Sequence, residues 1–199
     1  MGVMFEFKAD YVLEDERVLL RPLQVADEMY LVDYALKEPD LWRYSLVSAA
    51  GEDGMRRYIE GALADRERGY SYPFVVFDKL YGCYAGCTRY YDIQLVFSTL
   101  QLGYTWYGSR FQGTGLNRHC KYLLFSFAFE QMGMERVELR ADNNNARSIR
   151  AMKAVGCVVE GVLRSNMPTA MGGRRDSIVL SVLRAEWEGR VRAMLSAQL

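Results

Sequence analysis

Midway along the chain the apolar pattern changes from a run of strand formers to the period of a helix. Tyr104-Thr105-Trp106-Tyr107 is a run of strong strand formers. Beyond it Cys120, Leu123, Leu124, Phe127 and Ala128 fall at i, i+3, i+4, i+7 and i+8, one apolar helical face. Gly108, Gly113 and Gly115 stand between, so residues 102–121 predict a strand, a glycine-bearing loop and the start of a helix. Upstream, 17–23 predicts a first strand, stopped by Pro22. Val25, Met29, Val32 and Leu36 recur at spacings of four, three and four and predict a helix over 24–36, ended by Pro39. A second helix over 55–68 has Tyr58, Ile59, Ala62 and Leu63 as its buried stripe. Strands follow at 73–79 and 83–91, turned by Leu80-Tyr81-Gly82, and a loop or turn at 92–99 leads to the central strand. Downstream, 136–142 alternates as a strand, and a short helix runs to Val155 and closes at Gly156. Strands at about 157–163 and 177–183 and a terminal helix from Glu186 complete the order. Residues 1–13 read as a loosely attached arm, or as a strand given to a partner. Residues 14–199 read as one α/β domain, a mixed and mostly antiparallel sheet flanked by helices.

Composition narrows the field. A chain of 199 residues, 50% of them apolar, suits one domain. Its 25 basic residues balance 25 acidic ones, which argues against a dedicated nucleic-acid binder. No apolar run reaches the length of a membrane span, and the start lacks the layout of a signal peptide. Met1-Gly2 could announce myristoylation, but residue six is Glu6 rather than Ser or Thr. Cys83, Cys87, Cys120 and Cys157 are scattered, and with the single His119 they make no zinc pattern. Core packing in a reducing, cytoplasmic setting is expected for them, with no metal, and His119 is expected to be structural.

Loop chemistry adds more. A strand feeding a helix through Gln112-Gly113-Thr114-Gly115 leaves unpaired N–H groups at the positive end of the helix dipole, which suits a phosphate or pyrophosphate. Glycine lets such a ligand approach where a Cβ would collide. A P-loop fails, because Leu116-Asn117 follow the glycine instead of Lys-Ser/Thr. A dinucleotide fingerprint also fails, because Arg118 stands where its third glycine belongs.

A second stretch, the strand 136–142 followed by Asn143-Asn144-Asn145-Ala146-Arg147-Ser148, completes a pattern. Together the two segments resemble the GNAT superfamily of acyl-CoA-dependent N-acetyltransferases. Its Gln/Arg-x-x-Gly-x-Gly/Ala pyrophosphate loop lies on Gln112-Gly113-Thr114-Gly115-Leu116-Asn117 and departs at Asn117; a frame from Arg110 fits the letters but stands too far from Met132-Gly133-Met134. Arg17-Val18-Leu19-Leu20-Arg21-Pro22-Leu23, Leu41-Trp42-Arg43-Tyr44, Glu160-Gly161-Val162-Leu163-Arg164, Arg175-Asp176-Ser177 and Glu186-Trp187 look like the branch that contains ribosomal-protein N-terminal acetyltransferases.

The resemblance implies acetyl-CoA as co-substrate and a primary amine, of a protein N-terminus or a small molecule, as acceptor. It implies that the strand around 104–107 splays from the strand 137–141, that the pantetheine arm fills the opening, and that a backbone N–H near Trp106 or Tyr107 polarises the thioester oxygen. Gln112 to Asn117 would hold the pyrophosphate, and Asn145 would meet the pantetheine amides or cap its helix. Ser148 is the candidate proton partner of the thiol, because Met152 occupies the usual tyrosine position. Arg110, Arg118, Arg147 and Arg150 cluster near these segments and suit the 3′-phosphate of CoA; a solvated helix face is the alternative for each. Glu138 and Asp142 are candidate bases, or pair with Arg136 and Arg140. The amine pocket is expected at 40–45, 88–92 and 165–175, with Trp42, Tyr44, Tyr90 and Tyr91 as an aromatic wall or as seam packing. The arm and the 165–175 loop could assist a homodimer. Two readings stay open: an N-acetyltransferase, or a non-catalytic acyl-CoA-binding or interaction module on the same scaffold, favoured by Met152 and Asn117.

Overall fold

In the computed structural model, which describes residues 5–170 and 172–199, one eight-stranded sheet runs through the molecule. Met1 and Gly2, weighed above as an acylation signal, lie outside the described residues. The strands are β1 (Leu13–Glu14), β2 (Val18–Pro22), β3 (Ser71–Asp78), β4 (Cys83–Gln94), β5 (Thr99–Tyr107), β6 (Arg136–Asp142), β7 (Val158–Pro168) and β8 (Arg174–Leu183), in the order β1-β2-β3-β4-β5-β6-β8-β7. Every neighbouring pair is antiparallel except β5 and β6, which run parallel and pair only from Thr99–Gln101 to Arg136–Glu138. Helices α1 (Glu28–Lys37) and α2 (Glu52–Glu67) precede β3, α3 (Leu116–Ser126) follows β5, and α4 (Ala146–Ala154) follows β6. A helical segment at 184–196 closes the chain, with a π turn at Trp187–Val191.

Side-chain alternation on β4 and β5 assigns the two layers. Tyr58 of α2 and Tyr34 of α1 pack edge-on against Trp106. On the opposite face Tyr90 donates its hydroxyl to the Leu124 carbonyl of α3 at 2.5 Å. Trp187 sits against Phe125 and Phe129 at the far end of that layer. Each such fully buried large side chain contributes roughly 1.5–3 kcal/mol relative to exposure.

Three expectations change. The last two strands are longer than read, β7 running on to Pro168 and β8 beginning at Arg174, so that most of 165–175, expected as a loop beside the amine pocket, is paired strand. The stripe read over 24–36 is not the buried one. Val25, Met29 and Leu36 stand exposed, and Leu31, Tyr34 and Ala35 form the buried face. Val25–Asp27 is a 3-10 turn, which rotates the start of the segment relative to the α-helix that follows. The arm is docked rather than loose over 5–13. Phe5 is buried among Tyr11, Tyr72 and Phe127, and Arg66 of α2 donates to the Phe7 and Ala9 carbonyls at 2.8 Å each. Leu13–Glu14 adds an edge to this chain's own sheet through Leu20 and Leu19.

Candidate active site

The site begins where β5 and β6 part. Beyond Gln101 and Glu138 the two strands share no rungs, and a cleft of about 430 Å³ opens between them. Two features of β5 shape this opening. Opposite Cys87 and Arg89 of β4 its register shifts by one residue, and Tyr104 takes φ +50°, a bulge that turns the strand. Gly86 of β4 makes room beside it: a Cβ there would stand 2.0 Å from the Trp106 carbonyl oxygen. The splayed pair expected from the resemblance is therefore present.

At the cleft mouth, β5 enters α3 through the loop that carries Gly113 (φ +77°) and Gly115 (φ +92°). The backbone N–H groups from Gly113 through Asn117 find no acceptor among the described residues; Arg118 is the first to be bonded, to the Gly115 carbonyl at 2.8 Å. A Cβ added at either glycine would meet no protein atom within 4 Å, so the space before these N–H groups is open. Gln112 holds the loop in place. Its amide donates to the Tyr107 carbonyl at 2.9 Å and accepts from Arg147 of α4. Thr114 turns its hydroxyl to the Phe111 carbonyl at 2.8 Å, and Leu116 is buried beneath. Asn117, the departure from the loop pattern, accepts from the buried Tyr107 hydroxyl at 3.3 Å. That contact explains why a side chain is accommodated there.

The opposite wall is α4. Asn145 is its N-cap, accepting the Ser148 N–H at 3.0 Å, and its amide nitrogen has no partner among the described residues. The Ser148 hydroxyl likewise makes no hydrogen bond among the described residues, and Ser148 lines the cleft one turn before the buried Met152. Trp106 and Tyr107 line the facing strand. Of the four arginines, Arg118 and Arg147 border the cleft. Arg110 is turned away, stacked on Phe111 at 4.6 Å with a nitrogen 3.0 Å from the Cys83 sulfur, and Arg150 does not reach the lining.

Glu138 and Asp142 separate cleanly. Glu138 is bound to Arg136 at 2.7 Å and Arg140 at 2.6 Å, a structural ion-pair cluster. Asp142 is buried in the cleft wall, where one carboxylate oxygen accepts from the Asn144 N–H at 2.8 Å and its amide at 3.1 Å, and the other has no partner among the described residues. Tyr44 and Tyr91 line the cleft, whereas Trp42 packs on Trp106 at 5.1 Å and Tyr90 faces α3; neither belongs to a wall for the amine. His119 is structural, its Nδ1 2.8 Å from Asp15 Oδ2.

Sequence reasoning missed Lys121. It is buried in the cleft lining, donates to Thr105 Oγ1 at 3.0 Å, and burial pushes its pKa down to about 8. Its place four residues after Asn117, hence on the same side of α3, was the signal that could have found it.

A family model described as an acetyltransferase (GNAT) domain matches residues 17–158. A relative from Bacillus subtilis (strain 168), provisionally named ribosomal N-acetyltransferase YdaF, is 25% identical over 177 residues, which cover 88% of this chain and 96% of that protein. A crystal structure of a provisionally named acetyltransferase from T. thermophilus is 32% identical, with a TM-score of 0.87 over 98% of this chain and 100% of that one. The RimL ribosomal L7/L12 alpha-N-protein acetyltransferase shares the fold at 16% identity, with a TM-score of 0.77 over 92% of this chain and 99% of its own.

Proposed function

Because the chain belongs to the GNAT acetyltransferase family, we propose that it moves the acetyl group of acetyl-CoA to a primary amine by direct attack in a ternary complex. The amine is that of a protein N-terminus or a small molecule, and the ribosomal names of YdaF and RimL support the former. One observation carries the reading: unpartnered N–H groups from Gly113 to Asn117 open onto a cleft between two parted strands. The open space before Gly113 and Gly115 fits a diphosphate on those groups.

Acetyl-CoA supplies an activated thioester, and the chain supplies the rest. Gln112, Gly113, Thr114, Gly115, Leu116 and Asn117 hold the diphosphate, chiefly through backbone. The free amide nitrogen of Asn145 is available to a pantetheine carbonyl. A backbone N–H at Trp106 or Tyr107 polarises the thioester oxygen; a preorganised donor of this kind lowers a barrier by roughly 3–4 kcal/mol. Ser148 offers its hydroxyl proton to the departing sulfur. The unpartnered oxygen of Asp142 takes the amine's proton through water, since Glu138 is consumed by its arginines.

Calorimetric titration with acetyl-CoA and a thiol-release assay over an amine panel, including peptides that begin with Ser, Ala or Met, test the proposal. Buried Met152 at the tyrosine position favours the second reading, a non-catalytic acyl-CoA-binding module. Tight binding with no thiol release across the panel would establish it. We also propose a cytoplasmic location, supported by the free thiols of Cys83, Cys87, Cys120 and Cys157. A homodimer is supported by exposed Val158, Val162, Leu163 and Met167 on the edge strand β7, and is measured by light scattering.

A further inference from the structure

One guanidinium on the α1/α2 side of the sheet lacks a counter-charge. Arg89 of β4 is only 5% exposed and lies between the rings of Tyr58, at 4.9 Å, and Tyr104, at 4.2 Å. Among the described residues it makes no ion pair, the neutral Tyr58 hydroxyl is its hydrogen-bonding neighbour, and its Nε is shut from solvent without an acceptor. Ser71 of β3, 3% exposed, has a hydroxyl in the same state. Both side chains line a second cavity of about 320 Å³, which shares Tyr91 and Tyr104 with the cleft between β5 and β6.

Ring faces attract a guanidinium but do not replace an anion, and a buried cation without one is costly. The acidic residues at this cavity do not fill that role. Asp92 accepts from Gln94 and Gln101 at 2.8 Å each, and Asp65 is bound to Arg68 at 2.8 Å. Arg175, which borders the neighbouring cleft, is also buried without a carboxylate partner among the described residues and donates to Ser177 Oγ at 3.0 Å and the Tyr44 carbonyl at 3.3 Å.

We propose that Arg89, assisted by Ser71, binds a carboxylate carried by the amine acceptor, so that the preferred acceptor is a peptide with an acidic residue at or next to its N-terminus. The register supports this reach. Arg89 pairs with Gly103, Cys87 with Trp106 and Gly86 with Tyr107, so along β4 Arg89 stands two to three residues from the rungs assigned to the thioester oxygen. Two to three residues span roughly 7–10 Å along a strand, which suits a side-chain carboxylate better than the α-carboxylate of a free amino acid. The inference rests on the acetyltransferase reading and adds a specificity-determining residue to it.

Thiol-release kinetics on matched acceptors test the assignment: peptides beginning Ser-Glu against Ser-Gln and Glu-Ser against Gln-Ser, then free glutamate against free glutamine. Loss of a charge-assisted bond predicts a roughly ten- to hundredfold higher kcat/KM for the acid of each peptide pair, carried mainly by KM. Arg89→Gln should bring the ratio close to one, and Ser71→Ala should lower it part of the way. Acid preference for free glutamate as well would keep the carboxylate site and extend it to small acceptors. A wild-type ratio at or below one in every pair, or an Arg89→Gln enzyme that keeps the wild-type ratio, overturns the proposal. The wild-type ratio alone decides the matter if Arg89→Gln fails to fold. Turnover without acid preference removes this inference only; acetyl-CoA binding without turnover of any amine removes the acetyltransferase reading beneath it.

Discussion

Replacing Lys121 with Met should stabilise the protein at neutral pH. Lys121 is 4% exposed, and its partner is Thr105 Oγ1, which already has Thr88 Oγ1 at 2.8 Å. Burial lowers its pKa from 10.5 to about 8, a gap worth about 3 kcal/mol. Below pH 8 the amine is charged in both the folded and the unfolded chain, and the folded state bears the whole penalty. Between pH 8 and 10.5 the unfolded chain keeps a proton that the folded chain has shed, so this contribution raises stability with pH across that window. Methionine keeps the length of the stem and fills the space with apolar atoms. Subtracting about 1 kcal/mol for the lost bond to Thr105 leaves a net gain of about 2 kcal/mol at pH 7, or about 4–8 °C in Tm for a chain of this size. Urea unfolding of both proteins at pH 7 and pH 10.5 measures it, and other groups that titrate in the window cancel in the difference. The gain should vanish or reverse at the higher pH. A Lys121→Met protein less stable than wild type at pH 7, or an equal gain at both pH values, would refute the desolvation argument.

At the loop, Gly115→Val places a β-branched side chain at φ +92° before the free N–H groups. It should cost about 1–2 kcal/mol of stability and weaken acetyl-CoA at least tenfold by calorimetry; unchanged affinity would disprove the loop assignment. Ser148→Ala should slow turnover on the order of a hundredfold while leaving the Kd for acetyl-CoA nearly as it was, and matched losses in both would mark a packing role instead. Gly86→Ala drives a methyl group to within 2.0 Å of the Trp106 carbonyl, so thermal melting should show destabilisation of about 3 kcal/mol or more, together with weaker cofactor binding. An unaltered melt would contradict the close approach of β4 and β5.

The strand 136–142 was legible to the residue, because strict alternation fixes both its type and its ends. The loop at Gln112 to Asn117 was legible because glycines between two periods leave few other options. The buried face of α1 was not. Val25, Met29, Val32 and Leu36 compete with Leu31, Tyr34 and Ala35 at equally good helical spacing, and only the shape of the sheet beneath chooses between them. Phe5 and Tyr11 gave no periodic signal, since their burial depends on ring contacts with distant Tyr72 and Phe127. Tyr90 and Tyr91 are neighbours in sequence, yet strand alternation sends one to α3 and the other to the cleft. Arg89 drew no notice for the same reason: whether a cation has a partner is a property of the folded neighbourhood and not of the string.

The brevity of the β5–β6 ladder has a mechanical consequence. The strand ladder between the half-sheet β1–β5 and the half-sheet β6–β8 is only Thr99–Gln101 against Arg136–Glu138, prolonged by the Glu135 N–H on the Ser98 carbonyl at 2.6 Å and supplemented by a few side-chain bonds such as Arg147 to Gln112. A ligand that carries its own amides into the gap contributes the missing stitches, so that a substrate doubles as a piece of architecture. On the proposed function, release of the spent carrier would mean unpicking part of the fold, which would tie the pace of turnover to the stiffness of the molecule.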